Sequence, residues 1–123
     1  MTLGKLMELI LSIRGQEYGE DIMTAWVNEI EAQALEEVIN RAEGVDLEHV
    51  PYCYETDADR ELLIPDRFLD VYMNYLYAKI DFNNQETERY NNDVVMWEAA
   101  WNKYQGWYKR SHKAKPLPTF HGF

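Results

Sequence analysis

The sequence predicts a small all-α domain, and three observations lead there. Apolar residues recur at three- and four-residue spacing through four stretches. Those stretches stop at Gly15, Gly44 and Asn83, residues that suit a helix end. The alternating run Val50, Tyr52, Tyr54 carries Pro51, which limits any strand there to an edge. The expected architecture is four helices near 2–14, 21–43, 66–82 and 86–110. The last two form an antiparallel hairpin, with a long central loop at 45–64 and an extended C-terminal tail. Residues 1–110 make the helical domain and residues 111–123 a basic tail.

The first helix opens on Thr2, a residue that caps well, and carries Leu3, Leu6, Met7, Ile10 and Ile13 on one face. Gly15 ends it. The second opens on Glu20 or Asp21, where a carboxylate suits the positive end of the helix dipole. Its stripe is Ile22, Trp26, Ile30, Ala34, Val38 and Ala42, with Glu29, Glu31, Glu36, Glu37 and Glu43 mostly off it. Residues 45–64 break the helical period and read as a loop or arm. A loop of that length in a compact domain is usually functional or disordered. Pro65 suits a first helical turn. The third helix then presents Leu69, Tyr72, Leu76 and Ile80, widened by Phe68, Met73 and Tyr75. The fourth carries Tyr90, Val94, Trp97, Trp101, Tyr104 and Tyr108 in steps of four and three, a heptad seam.

The chain has 123 residues, with 46% hydrophobic and 28% charged, which suits a single soluble domain. A net charge of -10 argues against a general nucleic-acid coat and against docking on an anionic membrane. No apolar run approaches the roughly 20 residues of a spanning helix, and no basic leader with a cleavage site reads as a signal peptide. Cys53 is the single cysteine, so no disulfide forms within the chain and no thiolate cluster holds zinc. A reducing cytosol is the simplest compartment of synthesis.

Charge and aromatics are both uneven. Residues 1–98 carry 7 basic and 22 acidic side chains. Residues 99–123 carry Lys103, Lys109, Arg110, Lys113 and Lys115 and no acid. The split is therefore -15 against +5. Of the 17 aromatic residues, 13 lie from Phe68 onward.

The residues offer little chemistry. His49 and Cys53 are four apart, but Pro51 lies between them and a metal would need two more ligands. His112 and His121 stand in the basic tail without convergent partners. No acid–base carboxylate pair, glycine-rich phosphate loop or G-x-S-x-G is marked. No catalytic residue, cofactor or metal is expected, and the chain does not read as an enzyme. Interaction is the better reading. The seam aromatics read as core. Tyr75, Tyr77 and Trp107, which lies off the seam beside Tyr108, are candidates for subunit contacts. Lys109 and Arg110 complement a helix C-terminus, but Lys113 and Lys115 lie beyond it. A basic tail on an acidic body suits the acidic face of a neighbouring copy and hence a head-to-tail ring.

Several strings resemble a small neck protein of tailed phages and prophages of Gram-positive bacteria. They are Leu62-Leu63-Ile64-Pro65-Asp66, Tyr72-x-x-Tyr75-Leu76-x-Ala78-x-Ile80-Asp81, Glu88-Arg89-Tyr90-Asn91-Asn92 and Trp107-Tyr108-x-Arg110-Ser111-His112. Ala25 to Glu31 adds to the likeness, which covers residues 20 to 112. The aromatic tail, with Phe120 and Phe123, and the long acidic loop depart from the pattern. The resemblance implies a head–tail connector, also called a head-completion or adaptor protein. Such a helical subunit forms a homo-oligomeric ring beneath the portal protein, extends the DNA channel, and meets the next neck or tail-completion protein. DNA passes through without specific binding, since fixed anions repel phosphate. It implies residence in the virion neck after synthesis in the host cytoplasm. Tyr108 and Phe120 join the expected contacts. The competing expectation is a small acidic helical inhibitor whose surface mimics DNA and fills a host protein's basic groove.

Overall fold

The computed structural model describes residues 1–116. Among these the chain is all-α, with helices α1 (Leu3–Arg14), α2 (Glu20–Glu37), α3 (Tyr54–Asp57), α4 (Leu69–Asn83) and α5 (Thr87–Ser111). α1 begins as its sequence predicts: the Lys5 backbone N–H donates to Thr2 Oγ1 at 3.2 Å. Leu3, Leu6, Met7 and Ile10 are buried, whereas Ile13, on the last turn, is 58% exposed. The helix stops at Gly15, whose φ of 78° and ψ of 175° suit glycine alone.

α2 ends six residues before the expected boundary. Val38 leaves the helix at φ -124°, ψ -64°, a single 3-10 turn covers Ile39–Arg41, and Ala42 is extended. Two side-chain effects account for this. Val38 and Ile39 are β-branched and lose rotamer freedom in a helix. The Asn40 side chain both donates to Leu47 O and accepts from Leu47 N, each at 2.8 Å, closing a local loop that competes with the helix. Of the expected stripe, Trp26, Ile30, Ala34, Val38 and Ala42 are buried, and the buried face is wider than the stripe. Met23 and Val27 widen it, and Ile22 is exposed.

The segment expected to be a loop or arm is laced to the body. Its one helical turn, α3, is bracketed by buried Tyr52 on one side and buried Leu62 and Ile64 on the other. Leu3 N donates to Arg60 O at 3.1 Å, Gly4 N to Ala58 O at 2.8 Å and Leu62 N to Met1 O at 2.9 Å. A Cβ on Gly4 would stand 3.0 Å from Ala58 O, so glycine is what lets α1 approach so closely.

Before α4, Asp66–Phe68 form a 3-10 turn, and Phe68 breaks from helical geometry at ψ 27°. The α-helix therefore starts three residues later than expected. Asn84 to Glu86 connect α4 to α5, with Gln85 in the left-handed region at φ 59°. The two helices then run side by side in opposite directions. Phe82 meets Tyr90 with ring centroids 5.3 Å apart, Tyr75 meets Trp97 at 5.9 Å and Phe68 meets Tyr104 at 5.4 Å. α2 also packs on α4. The expected seam is deep only at its C-terminal end: α5 fully buries Trp101 and Tyr104 alone, and no residue between Thr87 and Ala100. With 25 residues, α5 is about 37 Å long. The outer residues of its first half, Val95 and Met96 among them, are therefore exposed, while the last turn of α4 keeps Ile80 and Asp81 buried.

Candidate interaction surface

Trp107, Tyr108, Lys109, Arg110, Lys113 and Lys115 gather at the C-terminal end of α5. Trp107 is half-buried on its own chain rather than standing free. Its ring lies 5.1 Å from that of Phe68, and the Arg67 guanidinium sits 5.1 Å from its centroid. Tyr108 stacks on His112 with centroids 3.9 Å apart and planes 6° apart. Lys109 and Arg110 are exposed. The expected extended tail begins as a short antiparallel pairing with the segment after α2. Ala42 bridges Ala114, Glu43 N donates to Lys113 O at 2.7 Å and Lys115 N donates to Arg41 O at 2.8 Å. Lys113 Nζ lies 3.6 Å from Glu43 Oε2, an exposed ion pair of small energetic weight. The side chains of Lys113 and Lys115 still face solvent. Phe120 lies outside the described residues.

Tyr75 and Tyr77 do not join that cluster. Tyr75 lies opposite Trp97, ten residues or about 15 Å up α5 from Trp107. Its hydroxyl donates to Glu29 Oε2 at 2.8 Å, and the same oxygen is 2.9 Å from Lys79 Nζ. Burial, then the Glu29 carboxylate, raises its pKa, so it remains a donor. Tyr77 lies under the Arg14 guanidinium, 5.3 Å from its centroid.

Two buried polar centres escaped the sequence reading. Glu31 was placed off the stripe, yet it is 2% exposed. Its Oε2 accepts from Tyr72 Oη at 2.6 Å, Tyr52 Oη at 2.9 Å and Leu63 N at 2.9 Å. Tyr72 Oη also accepts from Ile64 N at 2.9 Å. Burial first and the Glu31 charge second hold both tyrosines well above their ordinary pKa, so both stay protonated and donating. One carboxylate oxygen thus clasps residues 52–64 onto α2 and α4. Its spacing carried a signal: Glu31 is four residues after Val27 and three before Ala34, both fully buried.

The second centre joins α1, α4 and α5. Arg14 forks onto buried Asp81, Nη2 to Oδ1 at 2.7 Å and Nη1 to Oδ2 at 3.1 Å. This holds the Asp81 carboxyl below its ordinary range. Asp93 from α5 faces the same carboxylate. Burial and the nearby Asp81 raise its pKa to about 7. Its Oδ2 is buried with no hydrogen-bond partner among the described residues. Two carboxyls and one guanidinium so close cannot all be charged without strain. His49 and Cys53 line different clefts, so they do not converge on a ligand.

Between α4 and α5, bordered by Gln33 of α2, lies an open, mostly apolar groove of about 460 Å³ walled by Tyr75, Phe82, Tyr90, Val94 and Trp97, with Lys79 as its one charged lining residue. Phe82 is 62% exposed, and the indole N–H of Trp97 is buried without an acceptor among the described residues. A second cleft of about 560 Å³ continues past Phe82 and Tyr90 to Glu86 and Asn91. Its surroundings are acidic. Asp81, Glu86, Glu88, Asp93 and Glu98 against Arg89 give residues 81–98 a formal charge of -4, of which Asp81 is neutralised by Arg14 and Asp93 favours its proton, leaving Glu86, Glu88 and Glu98 as the exposed acids. α5 thus runs from an acidic, apolar-grooved tip to a basic end. No described helix is long and apolar enough to cross a membrane.

No family model, curated protein or solved structure matches this chain.

Proposed function

We propose that the chain is a structural neck protein of a tailed phage or prophage. It assembles as a homo-oligomeric ring below the portal, joins head to tail and extends the DNA channel. In this reading α1, α2, α4 and α5 are the four helices of the connector domain, and the α4–α5 hairpin is its assembly arm. The portal protein meets one face of the ring and the next neck or tail-completion protein the other. The protein is made in the host cytoplasm and resides in the virion neck.

The observation that carries this reading is the polarity of α5, acidic at the tip and basic at the base. A subunit with complementary ends favours heterologous contacts, and heterologous contacts that close by rotation make rings. The remaining acidic surface suits a conduit, because fixed anions repel DNA phosphate. Laced into the body, the central segment is not an arm in this assembly, so subunit contacts fall to α5 and the residues after it.

The test is compositional. Purified virions should contain the protein in a fixed ratio to the portal, and lysates lacking it should accumulate filled heads without tails. Absence from virions would refute the connector reading. Tight binding to a host DNA-binding protein, competed by duplex DNA, would establish the DNA-mimic inhibitor in its place.

A further inference from the structure

We propose that the apolar groove at the tip of the α4–α5 pair is a socket for residues 117–123 of a second copy of this chain, so that consecutive subunits join tail into groove. The inference rests on the ring reading above and names the contact that would build the ring.

Three observations carry it. The groove is built of large apolar side chains left open: Phe82 is mostly exposed, Tyr90 and Val94 are only half-covered, and Trp97, one wall of the groove, is itself only partly covered by its own chain. The chain beyond Pro116 supplies a matching ligand, with Leu117, Phe120 and Phe123 and no acid in seven residues. Just before it stand Lys113 and Lys115, exposed and basic, against the exposed carboxylates Glu86, Glu88 and Glu98, which outnumber Arg89 at the tip. Apolar anchors with a rim of opposite charge are how small interfaces gain affinity and register together.

Geometry selects a second copy over the chain's own tail. Lys115 is tied to Arg41, and Tyr108 Oη lies 3.5 Å from neighbouring Ile39 O, so the tail leaves near the level of Tyr108. From there to Tyr90 is 18 residues of α5, about 27 Å. Phe120 and Phe123 lie four and seven residues beyond Pro116, so their backbones reach at most ~14 and ~25 Å. The chain's own tail could bring Phe123 to the outer groove, at Phe82 and Tyr90, only when fully extended and could not bring Phe120 there, whereas a neighbour's tail can place both.

The test uses full-length protein carrying Phe120→Ser, so that its own anchor is removed, and a synthetic peptide of residues 111–123 as the probe. Titration should shift tryptophan emission saturably. Adding Phe82→Ser, an exposed position that the core does not need, should weaken binding roughly tenfold or more, given the area a phenyl ring buries. Raising salt from 0.1 to 1 M should weaken it several-fold, as the screening length falls from about 10 to about 3 Å. No saturable shift, or binding indifferent to Phe82→Ser, would overturn the proposal. In a second arm the Phe120→Ser and Phe82→Ser chains are mixed. Each alone should stay monomeric, and the pair should form a dimer that grows no further, because only one tail and one groove remain intact. If Phe120→Ser alone alters the groove of dilute protein regardless of concentration, the chain fills its own groove and the intersubunit contact is wrong. A failed socket would leave the virion test untouched. Absence from virions, with peptide binding intact, would remove the neck reading and keep the self-association.

Discussion

Glu31 shows how one side chain organises a third of the molecule. Its Oε2 collects two tyrosine hydroxyls and a backbone N–H, tying residues 52–64 to α2 and α4. Glu31→Ala would leave Tyr72 Oη and Leu63 N without their acceptor, while Tyr52 Oη keeps Glu61 O at 3.2 Å. The expected loss is about 2–4 kcal/mol by urea denaturation. An unchanged midpoint would show that the central segment is held by something else. Asp93 is the opposite case, a carboxyl that prefers its proton. With its pKa near 7 in the folded chain and near 3.8 in the unfolded one, the folded state holds an extra proton between those values. Stability from this group is thus complete below about pH 4 and lost as pH rises through about 7. Asp81, held low by Arg14, acts in the other direction: its contribution fades as pH falls below the ordinary carboxylate range. Asp93→Asn should flatten the slope between pH 5 and 8. It should stabilise the protein at pH 8 by about 1–2 kcal/mol, less than the full shift because the site is partly solvated. Equal melting temperatures for the two proteins at pH 8 would contradict this. Neither centre was legible in the sequence. Period alone assigns a residue to a face, but not the depth of that face when three helices and a wrapped segment converge on it.

The boundaries set by local chemistry were the legible ones. Thr2 begins α1, Gly15 ends it, and Asn83 ends α4, as capping and conformational preference dictate. The boundary missed by most was the end of α2, where the apolar period continues to Ala42 but Asn40 turns the chain. Ala42 is buried in a bridge to Ala114 instead, a pairing 72 residues away that no local pattern announces. Two measurements follow at this scale. Gln85 occupies the left-handed region, so Gln85→Gly should relieve strain and stabilise the α4–α5 turn by about 0.5–1 kcal/mol. A destabilised variant would mean that the turn is held by the Gln85 side chain. Trimming the C-terminus should show a step. Ending the chain after Pro116 removes nothing from the described fold. Ending it after Arg110 also removes the His112 stack on Tyr108 and the bridge to Arg41–Glu43. The shorter chain should lose about 1–2 kcal/mol, a drop in melting temperature of about 3–8 °C. The sequence alone suggests that ending the chain after Arg110 leaves the helical fold intact, so identical melting curves would restore the free-tail reading.

The whole molecule is electrically polarised, and its separation of charge was visible in the sequence as -15 against +5. Most of the negative charge is spread over residues 1–80; within α5 and its lead-in the fold places the exposed acids Glu86, Glu88 and Glu98 towards one end, beside the groove, and Lys109 and Arg110 at the other. If subunits join end to end, the poles of neighbours meet, and like-charge substitutions at either pole should block the same step. Lys109→Glu with Arg110→Glu should impair assembly onto the portal. So should Glu86→Lys with Glu88→Lys. All four sites are exposed, so the fold should hold, with a drop in melting temperature of a few degrees in either variant because each reversal opposes the α5 dipole. Combining the four changes leaves the two regions near neutral, 0 over residues 81–98 and +1 over residues 99–123, but it exchanges the local signs, so a direct pairing of Glu86 and Glu88 with Lys109 and Arg110 of a neighbour is restored with its charges swapped. The combined variant should therefore assemble better than either parent pair, with the loss and the rescue both shrinking as salt rises. Native electrophoresis or sedimentation with portal present reads all four proteins side by side. Additive damage in the combined variant would mean that the two poles meet different partners, and head-to-tail pairing of copies would have to be abandoned. Rescue would show that they meet each other, because only a direct contact converts two faults into one repair.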